Sequence, residues 1–298
     1  MRHAYLLLTT FLLLPFVTTG QEESEEDPDG WKTSGKIQIL FNQSAFNAEW
    51  TGGGTSNISG NLLLDYDFSY KKGPWTWDNK LIANYGLTRT NGDVFTKKTS
   101  DRLELNSIVG REFDESYWRY TFFTNFRTQF APGYQYGTNP ETGEAVRTEK
   151  THFLSPAYLQ VGPGLMWRKD ENFFVNIAPA TARFIFVDSF FTSGPNYEDG
   201  DYFGVDAGRS MRFELGASLN AYAKYDIVEN VTMEHNLSLY SNYLVDGQNV
   251  DIDYLLNLNM SINDYLSTNL IFQAIYDDNA VGAFQIREVF GVGFNFQL

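Results

Sequence analysis

The stretch that decides the fold is Met211-Arg212-Phe213-Glu214-Leu215-Gly216-Ala217-Ser218-Leu219-Asn220-Ala221-Tyr222-Ala223-Lys224-Tyr225. Met211, Phe213, Leu215, Ala217, Leu219, Ala221, Ala223 and Tyr225 share one parity, and Arg212, Glu214, Ser218, Asn220 and Lys224 share the other. Successive side chains of an extended chain point to opposite faces, so this reads as a strand with one apolar and one charged face. The same split recurs at 58–70, 117–130 and 250–262, where Ile252, Tyr254, Leu256 and Leu258 oppose Asp251, Asp253, Asn257 and Asn259. Weaker versions lie at about 36–47, 75–88, 100–110, 154–168, 173–187, 231–245, 266–276 and 286–298, for a total of about twelve strands. Two of them hold a proline, Pro163 and Pro179. Proline cannot donate to a ladder, so a bulge is expected at each, and beyond Pro179 the parity changes toward Phe184 and Phe186.

The connections alternate in length. Short ones at 71–74, 111–116, 169–172, 227–230 and 263–265 are interleaved with longer links at 48–57, 89–99, 131–153, 188–210 and 277–285, with 246–249 the exception. Tight turns on one side and long loops on the other are what a transmembrane barrel presents to the periplasm and the exterior, and an even strand number returns both termini to the periplasm. A soluble sandwich also alternates, so the period alone does not choose. Full charges on the polar faces suit a wet lumen. Tyr70, Trp75, Trp77, Tyr117, Trp118 and Trp167 sit beside the short turns, as an interfacial girdle would. The last segment, with Phe290, Val292, Phe294, Phe296 and Leu298 on one parity, resembles the recognition signal read by the barrel-assembly machinery.

Composition closes off other classes. The 298 residues carry a net charge of −15, which excludes a general nucleic-acid binder, because neutralising phosphates needs clustered Lys and Arg. There is no Cys, hence no disulfide framework, zinc ribbon, thiol catalysis or lipid-modified N-terminus. Residues 1–20 read as a signal peptide: Arg2 and His3 precede an apolar stretch from Ala4 to Val17, and Thr18 and Gly20 stand at −3 and −1 of a cut. Residues 21–35 follow as an acidic, flexible periplasmic lead-in, and 36–298 as the barrel.

Several stretches carry a family resemblance: Trp50-Thr51-Gly52-Gly53-Gly54, Trp75-Thr76-Trp77-Asp78-Asn79, Asn84-Tyr85-Gly86, Lys98-Thr99-Ser100-Asp101 and Phe126-Arg127-Thr128-Gln129-Phe130-Ala131-Pro132-Gly133-Tyr134, then Phe153-Leu154-Ser155-Pro156-Ala157-Tyr158, Ser241-Asn242-Tyr243-Leu244 and Ile275-Tyr276-Asp277-Asp278. Together they resemble a Bacteroidota outer-membrane β-barrel family of unknown function (DUF3078-like), and spread over nearly the whole chain after the leader. The resemblance implies an outer-membrane barrel and adds almost nothing on activity.

The candidate site is therefore the polar parity. Arg102, Glu104, Arg119, Arg127, Gln129, Arg212, Glu214, Asp251 and Asp253 are expected to line the lumen, with Lys98 and Asp101 at the outer mouth. Two readings of these ladders stay open: a constriction that orients a polar solute, or partners that merely satisfy one another in a narrow interior. Catalysis has one candidate, His235, which points outward between Met233 and Leu237. Some twelve-stranded barrels are phospholipases with Ser and His on the outer wall, but Ser238 and Ser241 are poorly placed to pair with it. His3, His152 and His235 are too scattered for a metal site, and no helix follows Gly52–Gly54 to cradle a phosphate, so no cofactor is read. The expected function is a non-catalytic channel or transporter for small polar or amphipathic solutes, selective through these ladders and the loops 131–153 and 188–210. The alternative is a structural or assembly component whose loops or acidic tail bind another envelope protein. The expected surroundings are outer-membrane lipid.

Overall fold

The computed structural model describes residues 29–47, 49, 51, 54–113, 116–277, 279–280 and 282–298. The signal peptide at 1–20, most of the acidic lead-in and Gly52-Gly53 lie outside the described residues. Twelve strands form one closed antiparallel barrel: β1 (Gly30–Ser44), β2 (Asn57–Lys72), β3 (Trp75–Thr90), β4 (Lys97–Glu112), β5 (Trp118–Thr128), β8 (Ala157–Asp170), β9 (Phe173–Phe186), β10 (Met211–Val228), β11 (Val231–Asn242), β12 (Asp251–Ser261), β13 (Leu266–Tyr276) and β14 (Gln285–Gln297). Neighbours in sequence are neighbours in the wall, and β14 closes on β1 with Ile37 opposite Phe296 and Leu40 opposite Gly293. The remaining two strands, β6 (Gly133–Thr138) and β7 (Ala145–Thr151), pair with each other alone.

Each expected strand is present, with two adjustments. β1 begins at Gly30, so residues 30–35 belong to the wall rather than to the lead-in, and Trp31 and Thr33 pair with Tyr70 and Phe68. The link at 131–153 contains the hairpin β6–β7, whose short polar strands lack the apolar alternation by which the wall strands were read.

The register shifts at Pro179 but not, as also expected, at Pro163, which pairs with Phe122 in an unbroken β5–β8 register; the extra residue lies on β9 alone. Between β8 and β9, pairing lapses from Val161–Ala182 to Leu165–Ile177, across Pro163 and Pro179. Between β9 and β10, Gly216–Thr181 and Ser218–Ala178 leave one residue opposite two, a bulge at Pro179-Ala180. The extra residue inverts the alternation: Asn176 and Ala178 are buried before the bulge, Thr181, Arg183 and Ile185 after it.

The polarity of this barrel is inside out. Phe41, Leu62, Phe122, Ile177, Phe213, Phe290 and Phe294 are exposed on the outer wall, whereas Glu104, Arg183, Glu214, Asn176 and Asn269 are buried within. So much apolar surface around a whole wall has no solvent other than hydrocarbon. In lipid every backbone donor and acceptor must find an internal partner, which a closed ladder provides. The fold is a transmembrane antiparallel β-barrel. At the end with the tight turns Trp31 meets Tyr70 at 5.2 Å and Trp77 at 5.9 Å, and Tyr117 meets Trp167 at 5.9 Å, which forms the aromatic girdle.

Parity makes a direct prediction. Leu256 faces lipid in the middle of β12 and Asn257 faces the lumen opposite Glu234. Leu256→Arg should cost about 2–4 kcal/mol in urea unfolding from a lipid bilayer, and Asn257→Arg much less.

Candidate functional site

The lumen is built from alternate residues of every strand, and its charges fall into three tiers. At the turn end Arg168 donates to Asp78 at 2.7 Å, and Arg119 pairs with Glu112. Midway, Lys80 lies between Asp65 at 2.5 Å and Asp67 at 3.3 Å, Lys224 lies 3.6 Å from Glu234, and Lys36 donates to Asn259 at 3.1 Å. The half nearer the long links holds the densest cluster. Arg102 donates through Nε to Glu104 at 2.5 Å, and Glu104 also accepts from Asn106 at 3.0 Å and Asn125 at 2.8 Å. Arg183 donates to Glu214 at 2.6 Å and to Asp251 at 2.5 Å, and Arg212 approaches the same Glu214 at 2.8 Å.

Two contacts in this tier span the lumen. Asp253 on β12 accepts from Arg127 on β5 at 2.6 Å and lies 3.4 Å from Arg102 on β4. In the order around the wall β12 stands five strands from β5 and six from β4, on the opposite side. Gln273 steadies Asp253 by donating to its other oxygen at 2.9 Å, and Arg287 donates to Gln273 and Ser100. The arginines also stack, with Arg127 4.9 Å from the ring centre of Tyr158 and Arg183 3.9 Å from that of Tyr240. A polar cavity of about 60 Å³ lies among these residues, room for a few water-sized groups.

The sequence-predicted residues thus separate. Arg102, Glu104, Arg127, Arg212, Glu214, Asp251 and Asp253 meet in the cluster at the loop end. Arg119 faces the lumen far away, at the turn end. Gln129 lies past the end of β5, and its amide is spent on the carbonyls of His152 and Ser155, 2.9 Å each, so it holds loop backbone rather than extending the ladder. Lys98 and Asp101 form an ion pair at 2.7 Å on the rim; Asp101 accepts from the backbone of Phe130 and Ala131, and Lys98 donates to the Ala131 carbonyl. They fasten the start of the hairpin link to β4. Arg183, Tyr158 and Tyr240 are site residues that the sequence reading missed. The parity change after Pro179 was the signal for Arg183, since it turns Phe184 outward and its neighbour inward.

The link 187–210, with the single-turn helix α1 (Ser189–Thr192), folds over the mouth. Val205 is fully buried against Tyr158, Ile185 and Val187, and Tyr202 and Phe203 pack on that cluster. Tyr202 donates to the Lys150 carbonyl at 2.7 Å and so ties this link to the hairpin link, while burial pushes its hydroxyl up to about 12. Arg212 donates to the Gly204 carbonyl at 3.0 Å and to Asn279 at 3.1 Å, which joins two loops to the charge cluster. Gly204 adopts φ +71°, and a methyl group there would strike the Arg212 guanidinium.

His235 does face lipid. Its Nδ1 lies 2.8 Å from the Tyr254 hydroxyl, and its cross-strand neighbours are Ala223 and Leu256, so the position assembles no serine–histidine pair.

Residues 41–134 match the model of the family described as Protein of unknown function (DUF3078). The match contains the motifs from Trp50 to Tyr134; those from Phe153 onward lie outside it. No curated protein matches the chain. Among solved structures the chain is similar to the COG4313 outer membrane channel from Pseudomonas putida F1, at 12% identity and a TM-score of 0.39, over 94% of this chain and 99% of that one. It is similar also to the translocator domain of autotransporter NalP from Neisseria meningitidis, at 8% identity and a TM-score of 0.36, over 91% and 90%. The NanC porin gives 10% identity and a TM-score of 0.35, over 89% and 97%.

Glu214 has no exposed surface and serves two arginines at once. Removing one member of such a buried set strands the others, so Glu214→Ala should lower stability by about 3–5 kcal/mol, read by urea unfolding, while Glu214→Gln keeps the shape and loses less.

Proposed function

We propose that this chain is a non-catalytic outer-membrane channel of a Gram-negative bacterium for small polar or amphipathic solutes. The observation that carries the reading is the bridge from Arg102 and Arg127 to Asp253 across the lumen. An apolar plug can open only by moving backbone or by exposing oil to water. An ion-pair bridge in a polar lumen can part by side-chain rotation alone: Arg102 retains Glu104, Arg127 its stacking on Tyr158, and Asp253 retains Gln273. The bridge is then the constriction, and the linked loops 131–153 and 187–210 are its outer cover. In this reading both termini lie in the periplasm, which is supported by strand ends that share the tight-turn side, and the assembly machinery recognises β14.

Single-channel recording of the refolded protein in a planar bilayer tests this. The wild type should give small discrete steps. Asp253→Asn should raise the conductance severalfold, because it removes the charge that draws two arginines across the lumen. Arg127→Glu should shift ion preference toward cations. A folded barrel that stays silent in the wild type and in Asp253→Asn would overturn the channel and favour an envelope scaffold that works through its loops.

A further inference from the structure

The outer cavity has two unlike walls. Arg127 and Arg183 enter from β5 and β9, each stacked on a tyrosine ring, and Asp251 and Asp253 face them from β12. The walls touch, with Arg127 2.6 Å from Asp253 and Arg183 2.5 Å from Asp251. Tyr240 lines the same cavity and is buried, and its hydroxyl has no hydrogen-bond partner among the described residues. A buried hydroxyl without a partner forgoes a hydrogen bond that a polar ligand could supply.

We propose that this cavity binds a small zwitterion of the amino-acid type, its carboxylate held by Arg127, Arg183 and the Tyr240 hydroxyl and its ammonium by Asp251 and Asp253. The inference rests on the channel reading of the same lumen and names the solute class. Its basis is charge conservation in a poorly solvated space. A lone anion inserted between the walls would occupy the arginines and leave the aspartates short of partners; a lone cation would do the reverse. A zwitterion exchanges each protein–protein pair for two protein–ligand pairs and leaves no charge unmatched. Planar guanidinium groups suit a carboxylate in particular. The walls hold their places when the central pairs part, because Arg183 keeps Glu214 and Asp253 keeps Arg102 and Gln273.

Glycine, with acetate and methylammonium as its two separated halves, gives the test by titration calorimetry on the purified protein in detergent micelles. Glycine should bind saturably, and each half roughly tenfold or more weaker. Tyr240→Phe keeps the ring under Arg183 and should weaken glycine by about two- to tenfold, one hydrogen bond's worth. Asp253→Asn, which leaves Asp251 alone to meet the ammonium, should narrow the preference for glycine over acetate. Equal affinity for acetate and glycine, or no saturable heat with glycine in a barrel shown to be folded by its heat-modifiable gel migration, would overturn the proposal. Bilayer recordings separate the two readings: saturable glycine binding by a silent barrel upholds this site and overturns the channel, and conduction without glycine binding does the opposite.

Discussion

The structure depends on the closure of one backbone ladder. Hydrocarbon supplies no hydrogen bonds, so a strand can cross it only if both its edges are paired, and in a sheet that holds for every strand only when the last joins the first. The meeting of β14 with β1, from Lys36–Gln297 to Phe41–Val292, is that join. Once it forms, the outer parity of each strand belongs to lipid and the inner parity to an enclosed space. The inner charges are then removed from bulk water and must find partners among themselves. The networks of Arg102, Arg183, Glu214 and Asp253 follow from closure as directly as the aromatic girdle does.

Enclosure also changes what an ion pair is worth. On a water-exposed surface Arg127–Asp253 would contribute little. Inside the lumen it joins opposite walls, a guanidinium from β5 meeting a carboxylate from β12. The stacking of Arg127 on Tyr158 and Arg183 on Tyr240 orients those arginines toward β12, and Arg212 extends the same network to Gly204 and Asn279 in the covering loops. The bridge and the loops are thus joined by one connected set of polar contacts.

The inward orientation of Arg102, Glu104, Arg119, Arg127, Arg212, Glu214, Asp251 and Asp253 was legible in the sequence, because parity along a strand is a local property. So was the shift beyond Pro179, since proline cannot keep its place in a ladder and the aromatics change sides after it. Gln129 was misplaced because a strand's last turns look alike whether they pair or not: β5 stops at Thr128, and the next side chain serves the loop. The hairpin β6–β7 went unread for a related reason. Its strands lie outside the membrane wall, so nothing imposed on them the apolar-out pattern that marks the others.

By itself, then, the sequence determined that this chain is a transmembrane barrel of about twelve strands, and which side of the wall most of its charges occupy. The physical reason is that a two-residue period and turn chemistry act between near neighbours. Only the tertiary structure decided which charges meet. Asp253 finds Arg127 and Arg102 across residue separations of 126 and 151 because the number of strands and their stagger bring one point of β12 level with one point of β4 and β5. No local pattern encodes that height, so the cross-lumen bridge, its stacked arginines and the loop latched to Arg212 belong to the closed barrel.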